Sequence, residues 1–300
     1  MSLAALRVRL SSQSKGAILI FASAACISVT FVASKQALSE LSPLAFTPIW
    51  FTVASAWGLG FYLWRSGLKW PAGLRRSTRP ILWLGFLNGL ANLLFFIAVS
   101  LGNPTLVAFF SRSETIYTIL LGAWLLGERM RRDQWLGAAI TIAGAGIMTY
   151  QAGPVVGLML GILLISTFFL SLSTLVAKKN IIAVEPLVLS TARTVVMALM
   201  LGLVGLWLGK LAWPGPVTWL WIIGGSFFGP FLSYVLFYRG LRSLDLAKGA
   251  VIRSTQPLFV AAYSFILFGT FISVQQFAGG VMMLAGVGLM LWRSAPTGKI

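Results

Sequence analysis

Residues 65–101 read RSGLKWPAGLRRSTRPILWLGFLNGLANLLFFIAVSL, a basic connection followed by 22 residues without a charge. An α-helix rises 1.5 Å per residue, so the uncharged part is about 33 Å long as a helix, enough to cross a hydrocarbon core of roughly 30 Å. The connection before it holds five Lys or Arg residues. This pattern predicts a transmembrane helix that starts on the positively charged side of a membrane.

Nine further apolar runs of similar length lie on either side of this one. The ten predicted spans are 16–38, 43–65, 80–101, 104–126, 133–151, 154–177, 186–209, 217–238, 247–269 and 274–292. The chain is 58% hydrophobic with a mean hydropathy of +0.90. A soluble core of 300 residues could not bury so much apolar surface, so the sequence predicts an all-α integral membrane protein.

Basic residues fall on alternate connections between these runs. One side receives Arg7, Arg9, Lys15, Arg65, Lys69, Arg75, Arg76, Arg79, Arg129, Arg131, Arg132, Lys178, Lys179, Arg239, Arg242, Lys248, Arg293 and Lys299. The other side receives only Lys35 and Lys210, so the ratio is 18 to 2. The positive-inside rule predicts that both termini are cytoplasmic, and an even number of spans agrees with that. We expect a multi-pass membrane protein.

Composition argues against several classes of function. The chain has one cysteine, Cys26, and no histidine, which predicts no disulfide framework, no metal site and no cofactor. Its basic residues lie in short connections without interleaved aromatic residues, so they suit anionic lipid better than nucleic acid. There is no GxSxG motif and no phosphate-binding loop, which disfavours a membrane enzyme. The expected partners are a small-molecule substrate and membrane lipid.

The second half of the chain repeats the first at a shift of 142 residues. The matched pairs are Gly127 with Gly269, Gln134 with Gln276, Gly137 with Gly279, Gly144 with Gly286, Gly146 with Gly288, Phe95 with Phe237 and Ala108 with Ala250. We therefore predict two five-helix units, residues 1–152 and 153–300. Because five is odd, the second unit enters the membrane from the opposite side, an inverted-topology repeat of the kind that surrounds a central cavity in secondary transporters. A duplication that serves structure alone is the alternative.

The repeat, the Gly127-Glu128-Arg129 turn, the following Gln134-x-x-Gly137 and the pair Gly144-x-Gly146 resemble the drug/metabolite transporter superfamily, EamA type. The second copy keeps Gly269 but has Thr270 where Glu128 stands. Within the superfamily, the chain is most similar to bacterial exporters of aromatic and other neutral amino acids. The resemblance implies a ten-helix carrier of the bacterial inner membrane that works by alternating access, with spans 5 and 10 outside the cavity.

Two asparagines on span 3 are candidates for substrate binding. Asn88 and Asn92 lie one helical turn apart and therefore on one face. Their amides together offer donors and acceptors for the carboxylate and ammonium groups of a zwitterion. Hydrogen bonding between helices is the structural alternative.

Span 4 contains Arg112, Ser113 and Glu114, the densest polar stretch in any apolar run. They form either a cavity wall where Arg112 attracts a carboxylate, or a structural ion pair with another span. Glu114 is the only carboxylate well within a span, which makes it the candidate for a carried proton. Export down the amino acid's own gradient needs no such proton.

Helix breaks are predicted in spans 8 and 9. Gly229 and Pro230 interrupt span 8, and Gln256-Pro257 interrupts span 9 at the register of Glu114. Proline frees a backbone carbonyl, and such breaks are tolerated where they line a cavity or where neighbours supply new partners. We expect hinges at Gly229, Pro230 and Pro257, and Gln256 in the cavity. Arg253 lies in the register of Ser111, and extension toward the interface is the alternative for Arg253 and for Arg193, which both lie near span ends.

Deep aromatic residues are candidates for the lining of an aromatic substrate cavity. They are Trp50, Phe95, Tyr117, Tyr234 and Tyr238. Such rings stack on side chains and attract an ammonium group, although helix packing would also account for each ring. Spans 5 and 10 carry a glycine stripe, typical of close helix packing within the chain or in a dimer, so monomer and dimer both remain open.

The function predicted from these patterns is export of aromatic and other neutral amino acids by a secondary transporter. Export of another metabolite or a drug is the alternative within the same superfamily. A channel or a membrane-embedded enzyme is the alternative from another class.

Overall fold

The computed structural model describes residues 12–69, 71, 73–101, 111, 113–127, 130–149, 157–268 and 273–292, and every regular element in these ranges is helical. The α-helices are α1 (Ser12–Ala37), α2 (Pro43–Ser66), α3 (Thr78–Leu101), α4 (Ser113–Leu126), α5 (Arg132–Thr149), α6 (Gly157–Asn180), α7 (Pro186–Trp207), α8 (Pro216–Ser226), α9 (Tyr234–Leu241), α10 (Leu246–Arg253), α11 (Gln256–Phe268) and α12 (Val274–Trp292). A 3₁₀ turn, Arg75–Ser77, precedes α3, and a π-helical segment, Phe227–Ser233, joins α8 to α9.

Local sequence signals explain where several helices begin and end. Ser42 caps the start of α2, where its hydroxyl accepts a hydrogen bond from the Ala45 N–H at 3.3 Å. Pro43 occupies the first turn of α2, where the missing N–H costs no intrahelical bond. At the other end, Gly67 adopts a φ of 61°, and its N–H donates to the Leu63 carbonyl at 2.8 Å.

Among the described residues, seven helical stretches are long and apolar enough to cross a membrane. They are Ser12–Ala37, Pro43–Ser66, Arg75–Leu101, Gly161–Asn180, Pro186–Trp207, Pro216–Leu241 and Leu246–Leu267. Trp64, Trp124 and Trp207 are more than four-fifths exposed, as expected for rings that meet lipid or its interface. These features indicate a multi-pass membrane protein, as predicted. The ten-span count and the inverted arrangement stay predictions.

The glycine stripe lies between α5 and α12 of the same chain. A Cβ on Gly144 would lie 2.7 Å from the Gly279 carbonyl oxygen, and a Cβ on Gly286 would lie 2.6 Å from the Gly137 carbonyl oxygen. No side chain fits between backbones this close, so glycine permits the approach. The stripe therefore serves packing within the chain.

Two turns on the predicted cytoplasmic side are joined by cations. Lys178 at the end of α6 donates to the Leu241 carbonyl at 2.6 Å and also to the Leu244 carbonyl. Arg242 donates to the Ile181 and Val184 carbonyls at 2.8 and 3.1 Å. These bonds satisfy carbonyls at helix ends and fix the α6–α7 turn against the α9–α10 turn.

Candidate functional site

An internal cavity of about 70 Å³ lies between the helices, and both halves of the chain line it. Residues that matter for its chemistry are Asn92, Phe95, Glu114, Tyr234, Arg253 and Gln256. A second cavity, of about 10 Å³, adjoins it and shares Glu114, Arg253 and Gln256. The two cavities together place a carboxylate, a guanidinium, amides and aromatic rings around one space.

Two helix starts bring the acidic and amide groups to this space. Glu114 lies in the first turn of α4, where its N–H donates to the Ser111 carbonyl at 3.1 Å. The break in predicted span 9 falls at Ser254 and Thr255, so that α10 ends at Arg253 and α11 begins at Gln256. At the 142-residue shift, Ser111 corresponds to Arg253 and Glu114 to Gln256, and all four residues line the 70 Å³ cavity.

The break in predicted span 8 takes the form of the π-helical segment. Pro230 lacks an N–H, and π-helical geometry widens the turn around it. The Pro230 carbonyl accepts a hydrogen bond from Nη2 of Arg193 at 2.8 Å. Gly229 faces Thr30 of α1 so closely that a Cβ there would lie 2.1 Å from the Thr30 Oγ1. The segment thus packs on α1 and is held by a side chain from α7.

Arg193 is completely buried and ties three elements together. Its Nη1 donates to Asn88 Oδ1 on α3 at 3.0 Å, and its Nη2 donates to Pro230 as described. Its Cζ lies 3.6 Å from the centroid of the Tyr234 ring on α9, within the range of a cation–π interaction. Among the described residues no carboxylate forms an ion pair with Arg193. Its positive charge is balanced by dipoles and a ring face only.

Arg253 contacts the same tyrosine from α10. Its Cζ lies 4.7 Å from the Tyr234 centroid and 4.4 Å from the Phe237 centroid. Only 8% of the residue is exposed, and its Nη1 has no hydrogen-bond partner. Glu114 is near enough to interact electrostatically with Arg253, although the two residues form no ion pair in the described structure.

The structure separates the two predicted asparagines. Asn92 lines the cavity, and its amide donates to the Asn88 carbonyl at 2.8 Å. Asn88 is 1% exposed; its amide accepts from Arg193 and donates to Ser173 Oγ at 2.6 Å. Asn88 therefore makes hydrogen bonds between helices, which was the structural alternative, whereas Asn92 stays a candidate for substrate binding.

The other predicted residues divide in a similar way. Phe95, Glu114, Tyr234 and Gln256 line the cavity. Trp50 and Tyr238, each 1% exposed, lie instead in the packed core, because Trp50 fills the space against Phe46 and Gly225 and Tyr238 packs beside Tyr234.

Two further predicted residues of span 4 contact α6. Tyr117 packs edge-on against Phe168, with their ring centroids 5.6 Å apart, and Ser113 hydrogen-bonds Thr167 at 2.8 Å. Neither lines the cavities described above. Arg112 lies outside the described residues.

The alternative that Arg193 and Arg253 extend toward the interface does not apply. Both are buried in the protein, because Tyr234 and Phe237 offer ring faces that an extended arginine cannot find in lipid. The 142-residue repeat did indicate Arg253, because it aligns this residue with Ser111. No local signal pointed to Arg193.

The described residues contain no cluster of three or more Cys, Asp, Glu or His that could hold a metal ion. Cys26 lies half-buried on α1 as a free thiol.

Comparisons with known proteins agree with this geometry. The model of the EamA-like transporter family matches residues 14–150 and 157–292. An uncharacterized transporter of Archaeoglobus fulgidus is 27% identical over 73% of this chain and 78% of its own, and the uncharacterized transporter YyaM of Bacillus subtilis is 24% identical over 86% and 87%. A solved crystal structure that is 18% identical covers 91% of this chain and 95% of its own with a TM-score of 0.75, which supports the fold alone.

Proposed function

The chain belongs to the EamA-like transporter family, and we propose that it is a secondary carrier that exports aromatic and other neutral amino acids across the bacterial inner membrane by alternating access. The observation that carries the proposal is the cavity lined from both halves of the chain. It combines Glu114 and Arg253, of opposite charge, with the Phe95 and Tyr234 rings. An amino acid brings an ammonium, a carboxylate and a side chain, and this lining has a counterpart for each.

The proposal includes ten spans arranged as two inverted repeats, and the helix contacts support that arrangement. In the predicted repeat, each span corresponds to the span five places away along the chain. Span 3 (α3) contacts span 6 (α6), and their counterparts, span 8 (through the π-helical segment and α9) and span 1 (α1), are also in contact. Likewise, α4 contacts α6, and their counterparts, span 9 (α10 and α11) and α1, are in contact too. In each of the contacting pairs α2–α7, α4–α10 and α5–α12, the two helices belong to counterpart spans. Helix contacts that match in this way are expected of two copies related by a pseudo-two-fold axis.

The contact between α5 and α12 gives the direction of that axis. Gly144 approaches Gly279, and Gly137 approaches Gly286, so the two helices run antiparallel. The 142-residue shift converts one of these contacts into the other. A two-fold axis that exchanges antiparallel spans is perpendicular to them and hence lies in the membrane plane, which favours inverted copies with both termini cytoplasmic.

Alternating access needs elements that can bend near the cavity. The π-helical segment and the α10–α11 break both adjoin it, at Tyr234 and at Arg253 and Gln256. Bends at these two positions would move α9 and α10 relative to α8 and α11 without unfolding any whole span. We assign the hinge function to Gly229, Pro230 and Pro257 on this basis.

Energy coupling has two candidate routes. Glu114, in the cavity, is the candidate proton carrier, and its exchange of a proton for the substrate's ammonium would couple the two fluxes. Facilitated export driven by the amino acid gradient alone needs only the ammonium-binding function. A rate that ignores a pH gradient, or that keeps its pH-gradient dependence in Glu114→Gln, removes the proton route.

A second candidate within the family is export of an anionic metabolite. The specific observation in its favour is charge: Arg193 and Arg253 lie on one tyrosine ring, and Glu114 is the only acidic residue lining the described cavities. An excess of positive charge favours a solute that carries more negative charge than a zwitterion.

Efflux from proteoliposomes tests the proposal. Vesicles loaded with labelled phenylalanine, leucine or a dicarboxylate are diluted, and release is followed with and without unlabelled competitors. Saturable release of the neutral amino acids supports export of that class. Release of the dicarboxylate alone favours the anion candidate, and linear, uninhibited release would indicate a channel.

Asn92→Ala tests the site within the same assay. Removing the amide from the cavity should lower the efflux rate about 10-fold, equivalent to about 1.4 kcal/mol of lost binding. Asn180→Ala is the matched control, because Asn180 makes the same bond to the carbonyl four residues earlier, at 2.8 Å to Val176, away from the cavity. Equal rates in the two variants would remove Asn92 from the site.

A further inference from the structure

We propose that Arg253 is the residue that binds the carboxylate of the transported solute, so that the carrier selects for solutes bearing a carboxylate group. This inference deepens the function proposed above and rests on it in assuming that the cavity holds a transported solute. It assigns a substrate-binding role to a residue for which sequence patterns left extension toward the membrane interface as an alternative.

The first observation is an unused donor in a buried place. Nη1 of Arg253 has no hydrogen-bond partner although the residue is more than nine-tenths buried. A buried charged donor without a partner is costly and is therefore rare unless a ligand completes it. Arg253 lines both cavities, and its guanidinium lies on Tyr234 of one lining and Phe237 of the other, so it stands where the two cavities adjoin.

Arg193 provides the internal comparison. Both arginines lie on the Tyr234 ring, but the two terminal nitrogens of Arg193 already donate to Asn88 and Pro230. The Nε of Arg193 lacks a partner too, yet Arg193 lines neither cavity. One arginine thus fixes the helices, and the other keeps donor capacity beside the space that a solute can enter.

The rings under Arg253 keep its planar group oriented. Guanidinium groups stack on aromatic faces and still present their N–H groups at the edge, in a fork that matches the two oxygens of a carboxylate. Arg193, which forms no ion pair among the described residues, adds a positive charge close by, and this charge strengthens the attraction for an anion in a low-dielectric interior. The Glu114 carboxylate and the Asn92 amide line the same cavity, where they can bind an ammonium group.

Three ligands of one shape separate the contributions of the two charges. Phenylalanine has both charges, phenylalaninamide lacks the carboxylate, and 3-phenylpropanoate lacks the ammonium. Purified protein is heated with each ligand at about pH 6.5, where the amine of the amide is mostly protonated. The ligand-induced rise in the unfolding temperature gives an apparent affinity without any need for transport.

We expect phenylalanine and 3-phenylpropanoate to bind the wild-type protein at least 10-fold more tightly than phenylalaninamide. In Arg253→Gln the affinity for both carboxylates should fall to that of the amide, while the affinity for the amide stays unchanged. Arg253→Lys should restore part of the difference, because an ammonium supplies the charge but not the fork. Arg239→Gln, which removes an exposed arginine five residues after Tyr234, should match the wild type.

Failure of this inference differs from failure of the proposed function. Equal binding of phenylalanine and phenylalaninamide by the wild type, or full discrimination in Arg253→Gln, overturns the assignment of Arg253 even when phenylalanine is exported. Arg253-dependent binding of 3-phenylpropanoate without export of any amino acid supports the assignment and overturns the amino acid function. If Arg253→Gln does not fold, the wild-type comparison and Arg253→Lys still decide.

Discussion

Arg193 holds a buried charge whose contributions to stability nearly cancel. Removing a guanidinium from water costs several kcal/mol even after relaxation, and the described structure offers Arg193 no carboxylate to offset that cost. The bonds to Asn88 and Pro230 contribute about 1.5–3 kcal/mol each as charge-assisted hydrogen bonds, and the Tyr234 ring about 2 kcal/mol. The net contribution of Arg193 to stability therefore depends more on the positions of its hydrogen-bond partners and of the ring than on its charge alone.

Arg193→Lys should therefore destabilise the protein more than Arg193→Met. A lysine keeps the desolvation cost but cannot donate to Asn88 and Pro230 while stacking on Tyr234, whereas methionine removes the cost along with the bonds. We expect the lysine variant to be less stable by about 1–3 kcal/mol, measured by thermal unfolding in detergent. The same pair at exposed Arg239 is the control and should differ little. The reverse order at Arg193 would contradict this account.

Glu40 ties the α1–α2 turn to the start of α8 on the opposite side from the basic turns. Its carboxylate accepts a hydrogen bond from the Thr218 hydroxyl and another from the Gly215 N–H at 2.6 Å. The Thr218 hydroxyl and then the Gly215 N–H lower the pKa of Glu40 below its ordinary value of 4.5. Because these donors favour the charged form, the tie depends on ionised Glu40.

The contribution of Glu40 to stability should vanish in acid. A carboxyl whose pKa is lower in the folded chain stabilises it above the unfolded pKa and loses that effect as the pH falls through the folded pKa. The unfolding temperature of Glu40→Gln should lie below that of the wild type near neutral pH, and the two should converge below the depressed pKa. Thr218→Val, which removes the larger cause of the shift, should narrow the pH window. A difference that is constant with pH would refute the tie.

At the scale of elements, the π-helical segment depends on a glycine that fits against α1. A Cβ at Gly229 would overlap the Thr30 Oγ1, and Thr30 is itself a buried hydroxyl without a hydrogen-bond partner. The two residues therefore form a close contact. Truncating Thr30 breaks no hydrogen bond and should cost little stability. Packing at this point sets how closely the segment approaches α1.

Gly229→Ala should destabilise the protein by about 1–3 kcal/mol because the added methyl forces Thr30 and its helix to shift. Thr30→Ala in the same chain should recover most of that loss, since it removes the overlapping oxygen. The four unfolding free energies form a double-mutant cycle. Gly224→Ala is the control, because open space surrounds a Cβ at Gly224. Additive effects at Gly229 and Thr30 would show that their contact is not responsible.

The helices and their breaks could be predicted from local signals, whereas the partners in the site could not. Apolar length marked the helices, and Gly229-Pro230 marked a break, although not its π-helical form. Asn88 was expected to meet substrate because its partner, Arg193, lies 105 residues away and no local pattern links them. The repeat register was the only long-range signal; it aligns Glu114 with Gln256, and both residues line one cavity.

At the scale of the whole molecule, the repeat makes a prediction about equivalent connections. Ser39 and Ile182 lie in corresponding connections of the two halves, as do Leu68 and Trp213, and all four are exposed. An inverted repeat places the members of each pair on opposite sides of the membrane, whereas a parallel repeat places them on the same side. The distribution of positive charge predicts that Leu68 and Ile182 face the cytoplasm.

Single cysteines at these four positions, in a Cys26→Ala background, should react with a membrane-impermeant maleimide in two groups. We expect Ser39→Cys and Trp213→Cys to be labelled in intact cells, because their connections carry almost no positive charge and face outward. Leu68→Cys and Ile182→Cys should be labelled only in inverted vesicles. Labelling of Leu68→Cys and Trp213→Cys from the same side would mean that the halves are not inverted, and the axis inferred from the Gly144–Gly279 and Gly137–Gly286 contacts would then be wrong.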